Sequence, residues 1–361
     1  MKAKEYEISG FSVVEVLVAT AITLLVMAGV FGAFKSLSDV NVAASQAFDR
    51  SQNLQTVLNM IRRDIQRVDR NSVPEEGLPI PGNVWTAINR CVVNNGTPGA
   101  CPNPIPAINA ENVLLLPAGT SSTGRDPVIL NGANFVFDAI TPLTVNGRNA
   151  ISILYTDSFA RDIPVTLTNN TPGFIGASLQ AAASANMQAG FQTIEPGDFI
   201  KLNNDILQYV EDFQFLTPRT LRFGGNEMTG INQQYVVPLA VVPNLRITLM
   251  RRVTYYLQDL PDEEDPVKTV TWLMRQVNLR PAVQLIPGVV RMDLDYDIAI
   301  AGGGAITSTN VASPTALQIR DIRMVNITIE NESLKPGADK KLAASAVTTS
   351  VAVRRFTDRY Q

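Results

Sequence analysis

The chain has 361 residues, 45% of them hydrophobic, and a formal net charge of −3. Its length allows two ordinary domains, or one extended element joined to a large globular part. The near-neutral charge gives no overall attraction to nucleic acid or to anionic lipid. Because the sequence contains no histidine, catalytic triads and zinc sites that depend on histidine are excluded.

An apolar run begins at Phe11, directly after a mostly hydrophilic opening that ends in Gly10. From Phe11 to Phe34 the only ionisable side chain is that of Glu15. A helix over this run would measure about 36 Å, enough to cross a hydrocarbon core of about 30 Å. A carboxylate one turn inside such a span costs on the order of 2–3 kcal/mol, so we expect a partner that compensates its charge.

This opening resembles the class III leader of type IV prepilins and pseudopilins. Gly10, Phe11, a glutamate in fifth place after the glycine and an unbroken apolar helix occur together. The resemblance implies that a prepilin peptidase cuts after Gly10 and methylates the new amine of Phe11. Residues 1–10 would then be the leader peptide, and Glu15 would pair with the Phe11 amine of a neighbouring subunit.

Two other interpretations of the apolar run remain open. An ordinary secretory signal has an apolar core of about 7–15 residues followed by a small-residue cleavage site, whereas this run is longer and contains Glu15. A plain signal anchor would explain the length of the run but neither Gly10 nor Glu15. The flanking charges give only a weak positive-inside signal, so the outward orientation of the residues after 35 follows from the leader resemblance.

The helical pattern continues without proline as far as Val73. We therefore predict one N-terminal helix over residues 11–70, in which residues 11–34 are transmembrane and residues 35–70 amphipathic. Apolar side chains at spacings of three and four predict a buried face in the second half, formed by Leu54, Leu58, Ile61, Ile65 and Val68. We expect this face to pack on the β-rich remainder of the chain.

A second face of the same helix carries Arg63, Arg67 and Arg70. These cations could form an interaction surface. The simpler interpretation is a solvated face with Asp64 and Asp69 as local partners.

Residues 71–361 are predicted to form an exported β-rich globular domain. Its first part, up to about Asn149, is rich in proline, glycine and asparagine and predicts loops and short strands. Cys91 and Cys101 flank a short polar loop there; in an exported protein such a pair is typical of a disulfide, which would contribute roughly 2–3 kcal/mol. Two unpaired buried thiols are the alternative, since two thiolates are too few for a metal site.

Runs of β-branched and aromatic residues predict an antiparallel sheet in the remainder. The fold class is therefore α+β, a long N-terminal helix packed on an antiparallel β-sheet body. The Ala-rich segment Ala177–Gly190 fits either a short helix or a surface loop. The predicted strands are Ala150–Thr156, Ile163–Thr168, Asp198–Leu202, Leu207–Phe215, Arg251–Leu257, Val267–Leu273, Val289–Ile300, Ile319–Glu330 and Ala344–Arg354.

In Val289–Ile300, apolar and polar residues alternate. This pattern places Val290, Met292, Leu294, Tyr296 and Ile298 on one face of the strand. Asp293, Asp295 and Asp297 share the other face and are a weak candidate for a hard cation such as calcium. The wet face of an edge strand is the alternative interpretation, and we predict no metal.

The order of the last strands resembles that of PilW-type minor pilins and of the related J-type minor pseudopilins of type II secretion. Both have a tyrosine-rich strand, a Leu-x-Arg strand, a Gly-Val strand that leads to a tyrosine, and a Val/Ile-Arg-x-Val strand. The matching segments are Val253–Leu257, Leu273–Arg275, Ile286–Tyr296 and Ile322–Ile329.

This resemblance implies a minor type IV pilin that helps to initiate pilus assembly within a tip or priming complex, in twitching motility, adhesion or DNA uptake. Such a protein is not an enzyme and uses no cofactor, and the chain contains neither a nucleophile elbow nor a phosphate loop. The implied partners are prepilin peptidase, other minor pilins, the major pilin and the inner-membrane assembly platform. No specific nucleic acid is predicted.

The implied location is the bacterial inner membrane, spanned once, with the N-terminus in the cytoplasm and the C-terminal domain outside. After assembly the protein would lie at the pilus tip on the cell surface. A minor pseudopilin of a type II secretion system is the first alternative. A membrane-anchored adhesin or binding module, which would use residues 71–149 to hold a surface ligand, is the second.

Overall fold

The structure is a computed structural model. The residues it describes are 12–68, 78–79, 129–130, 133–134, 136–145, 147–171, 174–180, 183–202, 206–214, 220–223, 245–262, 265–278, 280–299, 306–314, 316–319, 321–332 and 344–353. Its internal contacts divide the chain into two units, residues 1–52 with 333–343, and residues 53–332 with 344–361.

One long helix, α1 (Val13–Gln66), begins in the first unit and ends in the second. It contains no proline and is long and apolar enough to cross a membrane. In the first unit, its described side chains as far as Asp49 are exposed. The prediction of one unbroken N-terminal helix is thus confirmed over residues 13–66, while the predicted divisions after residues 34 and 70 stay predictions.

The described part of the second unit consists mainly of antiparallel strands. Its two short helices are α2 (Ala185–Gln192) and α3 (Ala316–Ile319). The strands are β1 (Leu78–Pro79), β2 (Ile129–Leu130), β3 (Ala133–Asn134), β4 (Val136–Phe137), β5 (Ile140–Val145), β6 (Arg148–Thr156), β7 (Ile163–Thr171), β8 (Phe174–Leu179), β9 (Phe199–Leu202), β10 (Ile206–Gln214), β11 (Thr220–Phe223), β12 (Arg246–Pro261), β13 (Thr269–Val277), β14 (Val283–Pro287), β15 (Val289–Ala299), β16 (Ile306–Val311), β17 (Ile322–Glu332) and β18 (Ala344–Ala352).

Strand β12 is the centre of the larger sheet. It pairs with β13 and β6 along most of its 16 residues, and its first residues pair with β7 and β9. Since β9 also continues through β10, β11 and β8 back to β7, these six strands form a closed hydrogen-bonded circuit. A second sheet has the order β16-β15-β17-β18.

The predicted apolar face of the helix is buried. Its five residues, Leu54, Leu58, Ile61, Ile65 and Val68, are at most 5% exposed, and they share one hydrophobic cluster with side chains of β6, β12, β13, β15 and β17. The prediction that this face packs on the β-rich part of the chain is therefore confirmed. Burial on this scale contributes roughly 1.5–3 kcal/mol for each large aliphatic side chain.

Two local predictions were wrong in detail. A bulge near the start of β15 turns Val290 outward, 48% exposed, whereas the neighbouring Val289 is fully buried. The segment Ala177–Gly190 is neither one helix nor one loop, because it starts in β8 and ends in α2. Ser184 caps α2 by accepting a hydrogen bond from the amide of Met187, the ordinary role of serine at a helix start.

Candidate functional site

The first site predicted from sequence is the start of the apolar helix. The carboxylate Oε2 of Glu15 accepts a hydrogen bond of 3.0 Å from the backbone amide of Ser12, and the amide of Glu15 donates to Ser12 Oγ at 3.3 Å. This reciprocal pair is a capping box, which satisfies two of the amides left open at a helix start. Glu15 therefore has a partner within its own chain.

The Ser-x-x-Glu signature of this capping box is visible in the sequence, although no helix cap is predicted there above. Gly10 and Phe11, the predicted cleavage and methylation sites, lie outside the described residues. Pairing of Glu15 with the Phe11 amine of another subunit therefore stays a prediction. A capping hydrogen bond needs only an acceptor oxygen, which glutamine supplies as well as glutamate does. An ion pair needs the negative charge, which glutamine lacks.

A second group of polar residues lies in the other unit, around the buried Asp64 near the end of α1. Asp64 is 1% exposed, and each of its carboxylate oxygens accepts two hydrogen bonds. Oδ1 accepts from Nη1 of Arg67 at 3.2 Å and from the hydroxyl of Tyr155 at 3.4 Å. Oδ2 accepts from the hydroxyl of Tyr255 at 2.7 Å and from Nη2 of Arg275 at 3.0 Å.

The two tyrosines also connect the two arginines to this carboxylate. Tyr155 accepts a hydrogen bond from Arg67 at 3.2 Å, and Tyr255 accepts one from Nε of Arg275 at 3.1 Å. Each guanidinium also lies over the ring of its tyrosine, at 5.5 Å and 5.9 Å from the ring centre, within the range of a cation–π contact. The expected solvated face is therefore wrong for Asp64, which is a buried anchor; Asp69 and Arg70 lie outside the described residues.

A second buried carboxylate, Asp198, is fully enclosed. Its Oδ2 accepts a hydrogen bond of 2.6 Å from Nη2 of Arg280, and its Oδ1 accepts from Nε of Arg280 at 3.0 Å. Nη1 of Arg251 and Nδ2 of Asn278 also donate to Oδ1, at 3.4 Å and 2.9 Å. The bidentate geometry of Arg280 is the strongest form of such a pair.

Asn278 directly follows β13 with a φ of 50°, the left-handed conformation that asparagine tolerates better than most residues. Its side chain accepts a hydrogen bond of 2.7 Å from the amide of Arg252 while it donates to Asp198. The asparagine thus fixes the turn into the following loop, and this turn positions Arg280.

The arginines of both groups meet in one cavity of about 580 Å³, which we call the arginine cleft. Its cations are Arg67, Arg161, Arg251, Arg275 and Arg280. Neighbouring strands bring these residues together: Arg251 of β12 is paired with Tyr155 of β6, and Tyr255 of β12 with Arg275 of β13. Paired residues of adjacent strands point to the same side of a sheet.

Burial and charge act together on the ionisable groups of the cleft. Burial raises the pKa of Tyr255 and of Tyr155, and the negative charge of Asp64 raises both further. Burial alone would lower the pKa of Arg275, but Tyr255 and Asp64 raise it above its ordinary value. The pKa of Arg280 is likewise raised, by Asp198 against the effect of burial. These arginines therefore stay cationic under all physiological conditions.

The other candidate residues are not brought into the cleft. Asp293 pairs with Arg291, whereas Asp297 turns inward and accepts hydrogen bonds from the amide of Asn310 and the side chain of Asn326. Among the residues that the structure describes, no group of three or more carboxylate or thiol side chains is placed to hold a metal ion. The predicted disulfide partners, Cys91 and Cys101, lie outside the described residues.

In comparisons with protein-family models, with curated proteins and with solved structures, the chain matches none.

Proposed function

We propose that the protein is a minor type IV pilin, processed by prepilin peptidase, that helps to initiate pilus assembly in a tip or priming complex. One observation carries the proposal: an apolar helix that starts with the Ser12–Glu15 capping box, directly after Gly10 and Phe11, continues unbroken into the core of an antiparallel β-sheet unit. A pilin subunit needs these two features, a helix for the membrane and the fibre and a folded body for contacts outside.

The exposed surface of the first part of α1 supports this proposal. Large apolar side chains such as Val13, Leu25 and Phe31 are 71–78% exposed. A soluble protein rarely exposes a continuous apolar surface of this kind. A lipid bilayer would cover it before assembly, and the helices of neighbouring subunits would cover it in a fibre.

The position of the buried carboxylate of Asp64 also supports the proposal. Pulling on a fibre loads the connection between each helix and its folded body. Asp64 joins the last turns of α1 to three strands through Tyr155, Tyr255 and Arg275, so its hydrogen bonds would resist that load.

The experiment that tests processing is N-terminal and intact-mass analysis of the protein made in a bacterium with type IV pili. We expect a chain that starts at N-methyl-Phe11, and the full-length precursor when prepilin peptidase is deleted. Gly10→Val should abolish the cut, because only glycine lets the backbone approach closely at that position. Gly29→Val, with open space around its Cα, should be cut normally. A mature start at Met1 or beyond Ala19 would contradict the proposal.

Deletion of the gene in its native host separates the minor pilin from the alternatives. Loss of surface pili and of twitching supports the minor pilin. Loss of exoprotein release with intact pili would instead indicate a pseudopilin of type II secretion. Normal fibres and normal secretion with reduced adherence would indicate a membrane-anchored adhesin.

A further inference from the structure

The arginine cleft has a composition that the proposed pilin function does not require. Among the described residues that line it, Asp157 is the one acidic side chain beside the five arginines, and it accepts a hydrogen bond of 3.1 Å from Nε of Arg251. Two of the carboxylates that balance the arginines, Asp64 and Asp198, lie behind them in the protein interior, at 1% and 0% exposure.

Three further carboxylates are more exposed: Asp157, Asp162 and Glu195 pair with Arg251, Arg161 and Arg280, and their side chains are 24%, 58% and 54% exposed. The cleft therefore presents guanidinium groups to its ligand space, and the carboxylate that pairs with Arg67 and Arg275 lies out of a ligand's reach in the interior.

The buried carboxylates fix the arginines without using all their donors. A guanidinium carries five N–H donors on three nitrogens. Toward described residues, Arg67 uses only Nη1, Arg275 uses Nε and Nη2, and Arg251 uses Nε and Nη1. Each of these three side chains thus keeps a nitrogen that makes no hydrogen bond to a described residue.

Three of the arginines are also held rigidly, and rigidity lowers the entropic cost of binding. The side chains of Arg251, Arg275 and Arg280 are only 15%, 23% and 26% exposed, and each forms an ion pair with a buried aspartate. Arginine held in this manner is the preferred partner of carboxylate and phosphate groups.

The size and the remaining wall of the cleft define the class of ligand. A volume of about 580 Å³ falls within the range of about 300–1,000 Å³ that is typical of small-molecule sites. Val277, Pro281 and Val283 add an apolar wall that would contact a carbon skeleton. A nucleic-acid strand would instead need a basic groove that follows its backbone, and the basic residues here converge in one pocket.

We propose that the arginine cleft binds a small organic polyanion, one that carries several carboxylate or phosphate groups. Arg67, Arg251 and Arg275 donate to its oxyanions, and Arg161, on the loop after β6, lines the same cleft. This site is independent of the proposed pilin function, because it uses none of the residues at the helix start.

The test measures binding by isothermal titration calorimetry on the full-length protein in a non-ionic detergent and a chloride buffer. The probes are citrate, inorganic phosphate and acetate at matched ionic strength. We expect saturable binding of citrate or phosphate at one site and at least tenfold weaker binding of acetate, since a single charge engages fewer arginines. The comparison of citrate with phosphate shows which oxyanion the cleft prefers.

Three variants with the same change in charge locate the site. Arg161→Gln removes a cleft arginine whose side chain is 40% exposed, and a thermal scan checks that this variant is folded. Arg67→Gln removes a second cleft arginine, whose side chain is 49% exposed. Each should weaken binding about tenfold or more, the scale of one charge-assisted hydrogen bond. Arg62→Gln, an exposed position of α1 that does not line the cleft, should bind as the unmodified protein does.

Two results would overturn the proposal. The first is the absence of saturable binding of both citrate and phosphate to the unmodified protein. The second is an affinity of the Arg161→Gln variant for citrate or phosphate that equals the affinity of the Arg62→Gln control. If Arg67→Gln unfolds the protein, as a thermal scan would reveal, the comparison of Arg161→Gln with Arg62→Gln decides alone.

Discussion

The hydroxyl of Tyr255 donates a 2.7 Å hydrogen bond to the carboxylate of Asp64, which is 191 residues away in the chain. Both side chains are buried, and they join the last turns of α1 to the longest strand of the larger sheet. A carboxylate without partners at this depth would cost several kcal/mol. The four hydrogen bonds that Asp64 accepts therefore decide whether this part of the helix can pack on the sheet.

The first prediction concerns the loss of this carboxylate. Asp64→Ala leaves Arg275 and two tyrosine hydroxyls without their acceptor, so the free energy of unfolding should fall by on the order of 3–5 kcal/mol. Tyr255→Phe removes one donor and should cost only about 1–3 kcal/mol. Denaturant titration of the full-length protein in detergent, followed by tryptophan fluorescence, measures both.

Asp265→Ala is the matched control for these two variants. It removes a partly exposed carboxylate that pairs with Lys268, and such surface pairs contribute about 0–1 kcal/mol. If Asp64→Ala lowers the free energy of unfolding no more than this control does, the role of Asp64 as an anchor between helix and sheet is contradicted.

The second prediction is a loss of stability at high pH. Burial raises the pKa of Tyr255, Tyr155 and Tyr296 above the unfolded value of about 10. The folded protein then holds these protons more tightly than the unfolded chain does. The resulting stability is complete below about pH 10 and falls as the pH rises from there toward the folded pKa values.

Unfolding titrations at about pH 9, 10 and 11 check this dependence. The free energy of unfolding should decrease across the upper interval, and the decrease should be smaller in Tyr255→Phe because one buried phenol no longer titrates. The prediction is contradicted if the free energy of unfolding stays level through pH 11. It is also contradicted if this free energy falls equally steeply with pH in the unmodified protein and in Tyr255→Phe.

The third prediction concerns the packing of α2 against the loop after β6. A Cβ at Gly190 would overlap the backbone carbonyl oxygen of Phe159, and backbone cannot yield as a flexible side chain does. Although alanine favours helix by about 1 kcal/mol over glycine, Gly190→Ala should destabilise the protein by about 1–3 kcal/mol. Asn186→Ala, at an exposed position of the same helix, should be close to neutral.

Because the same loop carries Arg161, a residue of the arginine cleft, Gly190→Ala has a second expected effect. The loop must shift to relieve the overlap, so the affinity of the cleft for citrate or phosphate should fall. Thermal unfolding and calorimetry on the same sample measure both effects. A variant of unchanged stability would show that the loop and α2 are less closely packed than the structure has them.

The helix and its buried face could be predicted from the sequence because their signal is local. Spacings of three and four place Leu54, Leu58, Ile61, Ile65 and Val68 on one side whatever lies opposite, and all five are buried. The same spacing also assigns Asp64 to that face, three residues after Ile61 and four before Val68. The charge of Asp64 suggests a solvated position, but a carboxylate on an apolar face needs buried partners, and Asp64 has them in Tyr255 and Arg275.

The arginine cleft could not be predicted because its residues are distant in the chain and depend on strand register. Arg67, Arg251 and Arg275 converge only because β12 pairs with β6 and β13 in one particular alignment. The bulge in β15 shows the same limit, since one extra residue exchanges the faces of Val289 and Val290. Nothing in the alternation of that strand marks where the bulge falls.

The last prediction separates the two roles open to Glu15. Glu15→Gln keeps a side chain that can accept the hydrogen bond of the Ser12 amide, but it removes the charge needed to pair with the Phe11 amine of another subunit. Ser12→Ala does the reverse, since it removes the hydroxyl of the capping box and keeps the carboxylate. We expect both proteins, and Glu15→Ala as well, to be made, inserted and cut after Gly10, which mass analysis of the mature chain will check.

If charge pairing drives assembly, Glu15→Gln and Glu15→Ala will not be recovered with partner pilins after detergent extraction and pull-down, whereas Ser12→Ala will be. If the capping box alone matters, Glu15→Gln will assemble normally, and Ser12→Ala will be impaired by about the 0.5–2 kcal/mol that a lost helix cap costs. Normal co-purification and normal fibre numbers for Glu15→Gln would therefore refute the pairing of subunits through Glu15. Glu15 would then act only within its own chain, as part of the cap of the first helical turn.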